Sequence, residues 1–173
     1  MIKVVGAKGI IQDVDLFLKK VRDFAKNHDI VVQVFNADMI YSKNHILSAV
    51  KHAVRSHERK TNTTNSLDME ILLYASGERQ LKLAIPKMGV RTGDVNIAFV
   101  FVDEVQRASG SLSDKKVVEF IKLLNLVRDD SVLNGNVDTL KKFGITSSEL
   151  ETVTKAKYGD LILEKVARVD IIK

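Results

Sequence analysis

The stretch VNIAFVFV, Val95–Val102, is the clearest candidate for a buried strand and decides the fold class. Its β-branched and aromatic residues over eight positions are typical of a strand covered on both faces. The run IVVQVF, Ile30–Phe35, has the same composition and predicts a second strand. Residues 2–5 alternate weakly and predict a short edge strand, for which Gly6 and Gly9 mark turns. Together these segments predict a small sheet.

Apolar residues at helical spacing occupy much of the remaining chain. One apolar face runs from Asp13 to about Asp29, and Ser42 caps a helix that continues into a basic segment. Ser66 caps another helix, and Gly77 is its predicted stop. Further helices are predicted after Leu81, from Ser111, near residues 138–143, from Ser147 and over residues 160–172.

Pro86 lies inside the helix predicted after Leu81 and predicts a kink, or an end of that helix near Ile85. The order of helices and strands is not a regular βαβα alternation. We therefore predict an α+β (mixed α/β) fold, helix-rich and with a small central sheet. A chain of 173 residues fits one such domain, spanning residues 1–173.

The composition excludes several classes of site. The chain has no cysteine, which removes disulfides, thiolate zinc sites and cysteine nucleophiles. No apolar run approaches the ~20 residues of a membrane-spanning helix. The N-terminal residues lack the apolar core of a secretory signal, so we expect a cytoplasmic protein. We predict no cofactor.

No catalytic constellation stands out. The four histidines lack the spacing of helical metal ligands and are predicted to be surface residues rather than a metal site. Asp103 and Glu104, which follow the central strand, are the one candidate acid pair, and a solvated turn is the simpler interpretation. The sequence therefore favours a binding protein over an enzyme.

A basic segment at residues 51–60 carries over half of the net charge of +5. Lys51, Arg55 and Arg59 recur at intervals of four, which predicts one cationic row on a helix. Such a row attracts phosphates, although a solvated helix face has the same pattern. The candidate RNA-binding residues here are Lys51, Arg55, His57, Arg59, Lys60 and Asn65, with Asn62 as an alternative to Asn65.

The turn after Gly77 carries a second polar group, Glu78-Arg79-Gln80. Backbone N–H groups at a helix start bind anions, and a guanidinium adds a planar pair of donors. We therefore predict that Arg79 and Gln80 form a functional lip beside the cationic row. The alternative is that Arg79 pairs with Glu78 or with an interior carboxylate.

The segment DLILEKVARVDII, residues 160–172, has an apolar arc wider than one core face requires. One interpretation is a helix sandwiched in the core. The other is a helix with one face inside and one face offered to a protein partner. In the second case we predict that the partner is bound by Leu161, Val169 and Ile172, with the first helix of the chain beside them.

A family resemblance rests on two segments, SLDMEILLYASGERQLKLAIPKMGV (residues 66–90) and LILEKVARVDII (residues 161–172). They resemble the small regulatory subunit of the KEOPS complex, the PRPK-binding protein family. Pro86 and Arg168 depart from the family pattern. The residues that match it are Glu70, Leu72, Leu73, Tyr74, Ala75, Gly77, Arg79, Gln80, Leu81, Ala84, Gly89, Glu164, Val166 and Ala167.

The resemblance implies a non-enzymatic subunit. Its complex makes threonylcarbamoyladenosine at position 37 of tRNA, and the family binds a small atypical kinase/ATPase subunit. The family is also implicated in holding the single-stranded CCA end of tRNA, with other KEOPS subunits as indirect partners. The alternatives are a small enzyme with an acid site at Asp103-Glu104, or a plain assembly protein that does not contact RNA.

Overall fold

The computed structural model of the chain describes residues 1–103 and 112–173. Four strands form one antiparallel sheet in the order β2-β3-β1-β4. The strands are β1 (Ile2–Ile11), β2 (Val31–Asn36), β3 (Gly93–Val102) and β4 (Leu126–Arg128). β3 pairs with β1 along its whole length and with β2 on its other edge, so it is the central strand that the sequence predicts.

The prediction of a short edge strand at residues 2–5 is wrong, because β1 continues to Ile11 and lies between β3 and β4. Gly6 is inside the strand rather than at a turn. A Cβ atom at Gly6 would lie 2.4 Å from the backbone oxygen of Asp129. The glycine therefore allows the chain after β4 to approach β1, where the Asp129 N–H donates to the Gly6 carbonyl at 2.9 Å.

Helices cover both faces of this sheet, which confirms the helix-rich α+β class. Three 3₁₀ turns, Ala37–Met39, Asp130–Leu133 and Lys155–Lys157, complete the described elements. The α-helices are α1 (Val14–His28), α2 (Lys43–Glu58), α3 (Leu67–Ser76), α4 (Leu81–Met88), α5 (Asp114–Leu123), α6 (Val137–Phe143), α7 (Ser147–Glu151) and α8 (Tyr158–Ile172).

Pro86 does not end α4, which continues to Met88. The proline removes the N–H that would bond to the Lys82 carbonyl one turn earlier. Both Lys82 and Pro86 are exposed, so water can hydrate that carbonyl. The predicted end near Ile85 is therefore wrong.

Alternating residues of β3 point into two separate cores. Ile97, Phe99 and Phe101 pack with α1 and α5 on one face, whereas Ala98 and Val100 face α2, α3 and α8 on the other. Both faces are covered, which is why this strand reads as a continuous apolar run. α1 thus lies on the opposite side of the sheet from α8, so the expectation that the first helix lies beside the closing helix is wrong.

The histidines are not all surface residues, because the side chain of His45 is fully buried near the start of α2. Its Nε2 donates to the Ala75 carbonyl at 2.8 Å, and its Nδ1 accepts from the Tyr41 N–H at 3.4 Å. The imidazole thus joins the start of α2 to the end of α3. Burial lowers the pKa of His45 to about 4, because a protonated ring would be desolvated and its Nδ1 could no longer accept.

We expect the stability of the chain to fall as the pH is lowered from about 6.5 to about 4. In the unfolded chain His45 binds a proton near pH 6.5, whereas the folded chain resists protonation until about pH 4. The free energy of unfolding should therefore drop by about 3 kcal/mol across this window, at 1.36 kcal/mol per pKa unit. Chemical denaturation of the wild type and His45→Gln at several pH values measures it. An equal slope in both proteins over this window would contradict the assignment.

Candidate nucleic-acid and protein interfaces

The basic segment at residues 51–60 forms the outer surface of the second half of α2 and the residues that follow. Lys51, Arg55 and Arg59 lie one turn apart on that surface, as the spacing predicts. Lys51 and Arg59 are exposed, and neither forms an ion pair within residues 1–103 and 112–173. Arg55 is half-buried, and its Nη2 donates to Asp170 Oδ2 at 2.6 Å. The cationic row is therefore continuous, but the guanidinium of Arg55 in its middle is already paired with Asp170.

A cavity of about 410 Å³ opens where the cationic row meets the end of α8. Three of its lining side chains are cationic and three carry hydroxyl groups. Among these donors, the Arg59 guanidinium and the Thr63 hydroxyl have no partner in the described residues and can bind an oxyanion. Its one carboxylate belongs to Asp170. The lining residues are Arg55, Ser56, Arg59, Thr61, Thr63, Asp170 and Lys173.

The loop between α2 and α3, residues 59–66, forms one wall of this cavity and is held from below by a buried carboxylate. Glu70 is fully buried and accepts from the backbone N–H groups of Thr63 and Thr64, at distances of 2.9–3.2 Å. It also accepts from the Ser56 hydroxyl at 3.1 Å and pairs with Lys173 Nζ at 2.8 Å. The loop conformation is thus set by groups beneath it.

The electrostatics of Glu70 follow from these contacts. Burial alone would raise its pKa, but the hydrogen bonds from Lys173, Thr64 and Thr63 outweigh it and hold the pKa of Glu70 below its ordinary value. Burial alone would lower the pKa of Lys173, but its bonds to Glu70 and Tyr74 raise it. Both groups are therefore charged at neutral pH.

Of the remaining candidates on this side, Lys60 and Asn65 are exposed on the loop between α2 and α3. Lys60 has a φ of 57°, a left-handed conformation that directs the chain away from the end of α2. His57 is two residues from both Arg55 and Arg59, so it points to the opposite flank of the helix. Its Nε2 is buried without a hydrogen-bond partner in the described part of the chain. The structure does not bring His57 to the cationic row.

The turn that carries Arg79 and Gln80 lies at the other end of α3. A Cβ atom on Gly77 would be 3.4 Å from side-chain atoms of Lys165 and Phe143, whereas the start of α3 contacts Lys173. Gly77 is seven positions after Glu70, roughly 10 Å along the helix axis. Arg79 and Gln80 are exposed there, so they do not form a lip beside the cationic row.

The alternative pairing of Arg79 with Glu78 is also absent. Glu78 Oε1 instead pairs with Lys87 Nζ at 3.0 Å, and the same ammonium donates to the Ser76 carbonyl. Lys87 also lies over the Phe143 ring at 4.0 Å. This ammonium therefore joins the turn to α4 and α6, and Arg79 forms no ion pair with the described residues.

α8 has one buried face and one exposed face, so it is not fully sandwiched. Leu161 and Val169 belong to the buried face and pack in the core with α2 and α3. They cannot contact a partner while the domain is folded, which corrects their assignment as partner-binding residues. Ile172 is half-buried. The exposed strip consists of Glu164, Ala167, Arg168 and Ile171, which are spaced at helical intervals.

Ile171 is the most exposed large apolar side chain in the described ranges, at 84% of its full accessibility. Its neighbour Asp170 has a side chain that is 35% exposed, but its carboxylate bonds to residues of α2 and α3. The Asp170 carboxylate accepts from the Tyr74 hydroxyl at 2.5 Å and lies 2.8 Å from His52 Nδ1. Burial alone would raise the pKa of Asp170. These hydrogen bonds and the charge of Arg55 outweigh burial and hold the pKa below its ordinary value. The last turn of α8 is thus held by the Asp170 hydrogen bonds on the side that faces α2 and α3, whereas Ile171 is exposed to solvent on the other side.

The acid pair predicted after the central strand is only partly visible. The backbone of Asp103 pairs with Met1, through its N–H at 2.8 Å and its carbonyl at 2.5 Å. Glu104 lies outside the described residues. Within the described ranges, no group of three histidine or acidic side chains is placed to hold a metal ion, and no helix is long and apolar enough to cross a membrane.

Sequence reasoning missed Lys173, Glu70 and Ile171. Lys173 and Ile171 lie at the end of the closing helix. The apolar pattern there does not indicate which side chains of the last turn face the core. Glu70 has a sequence signal, because it stands between apolar residues of a helix that is buried almost all round. An acid in such a position requires a buried partner.

Two comparisons place the chain among known proteins. A family described as "Kinase binding protein CGI-121" matches residues 11–169. The "Regulatory protein Cgi121" of Methanocaldococcus jannaschii is 30% identical over 145 residues, which cover 82% of this chain and 84% of that protein. The match includes the cationic end of α2, the α2–α3 loop and most of α8. On this evidence the chain belongs to the CGI-121 family of kinase binding proteins.

Proposed function

We propose that this chain is a non-catalytic, cytoplasmic subunit of the KEOPS complex that binds both the kinase/ATPase subunit and the 3′ CCA end of tRNA. In this role it supports the formation of threonylcarbamoyladenosine at position 37. Family membership supports the kinase partner, and the relative from M. jannaschii is named a regulatory protein. The observation that carries the RNA half is the cavity lined by Arg59 and Thr63, whose side-chain donors have no partner in the described residues.

The cavity suits a single-stranded RNA end better than a duplex. Its volume of about 410 Å³ is within the range of small-ligand pockets, so it admits a nucleotide-sized group but not a double helix. Arg59 lines the cavity and Lys60 follows it on the exposed loop, so both side chains can contact backbone phosphates. The exposed Asn65 amide, on the same loop, supplies a donor and an acceptor for the edge of an unstacked base.

The protein half of the proposal rests on the outer strip of α8. Ala167 has a short side chain in the middle of the strip. Ile171 projects from the helix one turn later, and Arg168 lies on the same exposed face. An exposed apolar anchor with a cation next to it is a common composition for the centre of a protein interface. The kinase partner is therefore expected to pack against Ala167 and Ile171.

We expect tRNA with an intact 3′ end to bind at least tenfold more tightly than the same tRNA lacking its CCA nucleotides. The reason is that the cavity accommodates only an unpaired end, whereas the tRNA body contacts Arg59 and Lys60 in both cases. Filter binding or electrophoretic mobility at fixed salt measures the ratio. A tRNA shortened by three nucleotides at the 5′ end controls for the loss of charge.

Equal affinity for both RNAs would mean that tRNA is bound only by general charge attraction. It would contradict the proposal that the cavity binds the CCA end. Absence of tRNA binding would favour a plain assembly protein, in which the basic face of α2 is a solvated surface.

A further inference from the structure

A buried ion pair beneath the α2–α3 loop links that loop to the residue that follows α8. Lys173 Nζ lies 2.8 Å from Glu70 Oε1, and its side chain is 6% exposed against 0% for Glu70. The same ammonium bonds to Ser56 Oγ at 2.6 Å and lies 4.6 Å from the centre of the Tyr74 ring. These contacts bring together α2, α3 and the residue that follows α8.

Both oxygens of Glu70 accept hydrogen bonds from the loop, and Oε1 also forms the ion pair. Oε1 accepts from the Ser56 hydroxyl, the Thr63 N–H and Lys173, while Oε2 accepts from the Thr63 and Thr64 N–H groups. The carboxylate is therefore saturated with donors. A buried carboxylate of this kind is tolerated only while its cation remains in place, so the loop conformation depends on Lys173.

We infer that the Glu70–Lys173 pair is a positioning element for RNA. It holds the α2–α3 loop in the conformation in which Arg59 lines the cavity and Lys60 and Asn65 are exposed on the same loop. This inference rests on the proposed RNA-binding function. Neither member of the pair needs to touch a base. Glu70 is fully buried beneath the loop, and the ammonium of Lys173 is committed to Glu70, Ser56 and Tyr74.

The substitution Glu70→Gln distinguishes positioning from simple electrostatics, because the two predict opposite signs. Removing an acid near a nucleic-acid site strengthens binding if only charge matters. Loss of the loop anchor instead weakens it, and we expect tRNA affinity to fall about tenfold, the equivalent of one buried charged hydrogen bond. Asp68→Asn is the matched control. It removes one negative charge from the first turn of the same helix, and Asp68 forms no hydrogen bond to the described part of the loop.

Lys173→Met tests the other member and keeps the inference testable if Glu70→Gln does not fold. It should weaken tRNA binding by a similar factor, and Lys173→Arg should restore most of the affinity. Lys155→Met, at an exposed position before α8, removes the same charge without touching Glu70 and should change affinity less than threefold.

Amide hydrogen exchange of the full chain reports on the loop without RNA. We expect the Thr63 and Thr64 amides to exchange at least tenfold faster in Glu70→Gln and in Lys173→Met, while the amides of β3 keep their protection. Unchanged exchange at Thr63 and Thr64 in both variants would overturn the inference. So would tRNA binding by folded Glu70→Gln that is as tight as wild type. Failure of the wild-type chain to bind tRNA would instead overturn the proposed function, and the RNA role of this pair with it.

Discussion

Ile171→Glu is expected to weaken the complex with the kinase partner about 100-fold or more, with almost no change in the melting temperature of the isolated chain. The side chain is 84% exposed, so a charge at this position costs little while the chain is alone. In a packed interface the same carboxylate would be buried without a partner, at about 3 kcal/mol, which corresponds to ~100-fold in affinity. Co-purification and calorimetric titration with the kinase measure the effect.

Two variants serve as controls for this result. Ile10→Glu places the same charge on another exposed isoleucine, 62% accessible, near the end of β1. It should leave the kinase complex intact. Leu161→Glu introduces a charge into the core and should lower the melting temperature sharply. Normal kinase binding by folded Ile171→Glu would remove the outer strip of α8 from the interface.

The double variant Arg59→Glu/Lys60→Glu is expected to reduce tRNA affinity about 100-fold at about 0.1 M salt and to flatten its salt dependence. Each cation that neutralises a phosphate contributes nearly one unit to the slope of log K against log salt, so losing two should lower the slope by about two. Both side chains are exposed and have no ion pair in the described part of the chain, so folding should not be affected.

The matched control for this variant is Lys115→Glu/Lys116→Glu on α5. It makes the same change in net charge at two exposed lysines across the sheet from the cavity. We expect it to lower tRNA affinity less than fivefold, because charges beyond a Debye length of about 10 Å are screened. If the two double variants lost affinity equally, the binding would be nonspecific and the cavity would have no special role.

Much of the candidate site was predictable one element at a time. The cationic row on α2 follows from spacing alone, because residues four apart share a helix face. The error about His57 comes from proximity in sequence, since a neighbour two positions away on a helix points to the other side. The error about Arg79 and Gln80 has a different origin. Their distance from the row is set by the length and direction of α3, which no local pattern specifies.

The last turn of α8 illustrates the same limit. Its apolar arc was recognised as too wide, and the choice between a core helix and an interface helix depended on what packs against it. Contacts with α2 and α3 bury Leu161 and Val169 and leave Ile171 outside. The rotation of a helix about its own axis is set by the elements that pack against it.

The amino-acid sequence by itself determined the α+β class, the central strand at Val95–Val102, the position of the cationic row and the family. These depend on local periodicity, on charge and on motifs, all of which are contained in short segments. Only the tertiary structure decided that Glu70 and Lys173 form a buried pair beneath the α2–α3 loop. The two residues are 103 positions apart, and a contact over such a separation arises from the packing of whole helices. The energy of a buried charge is set by the partner that packing brings to it.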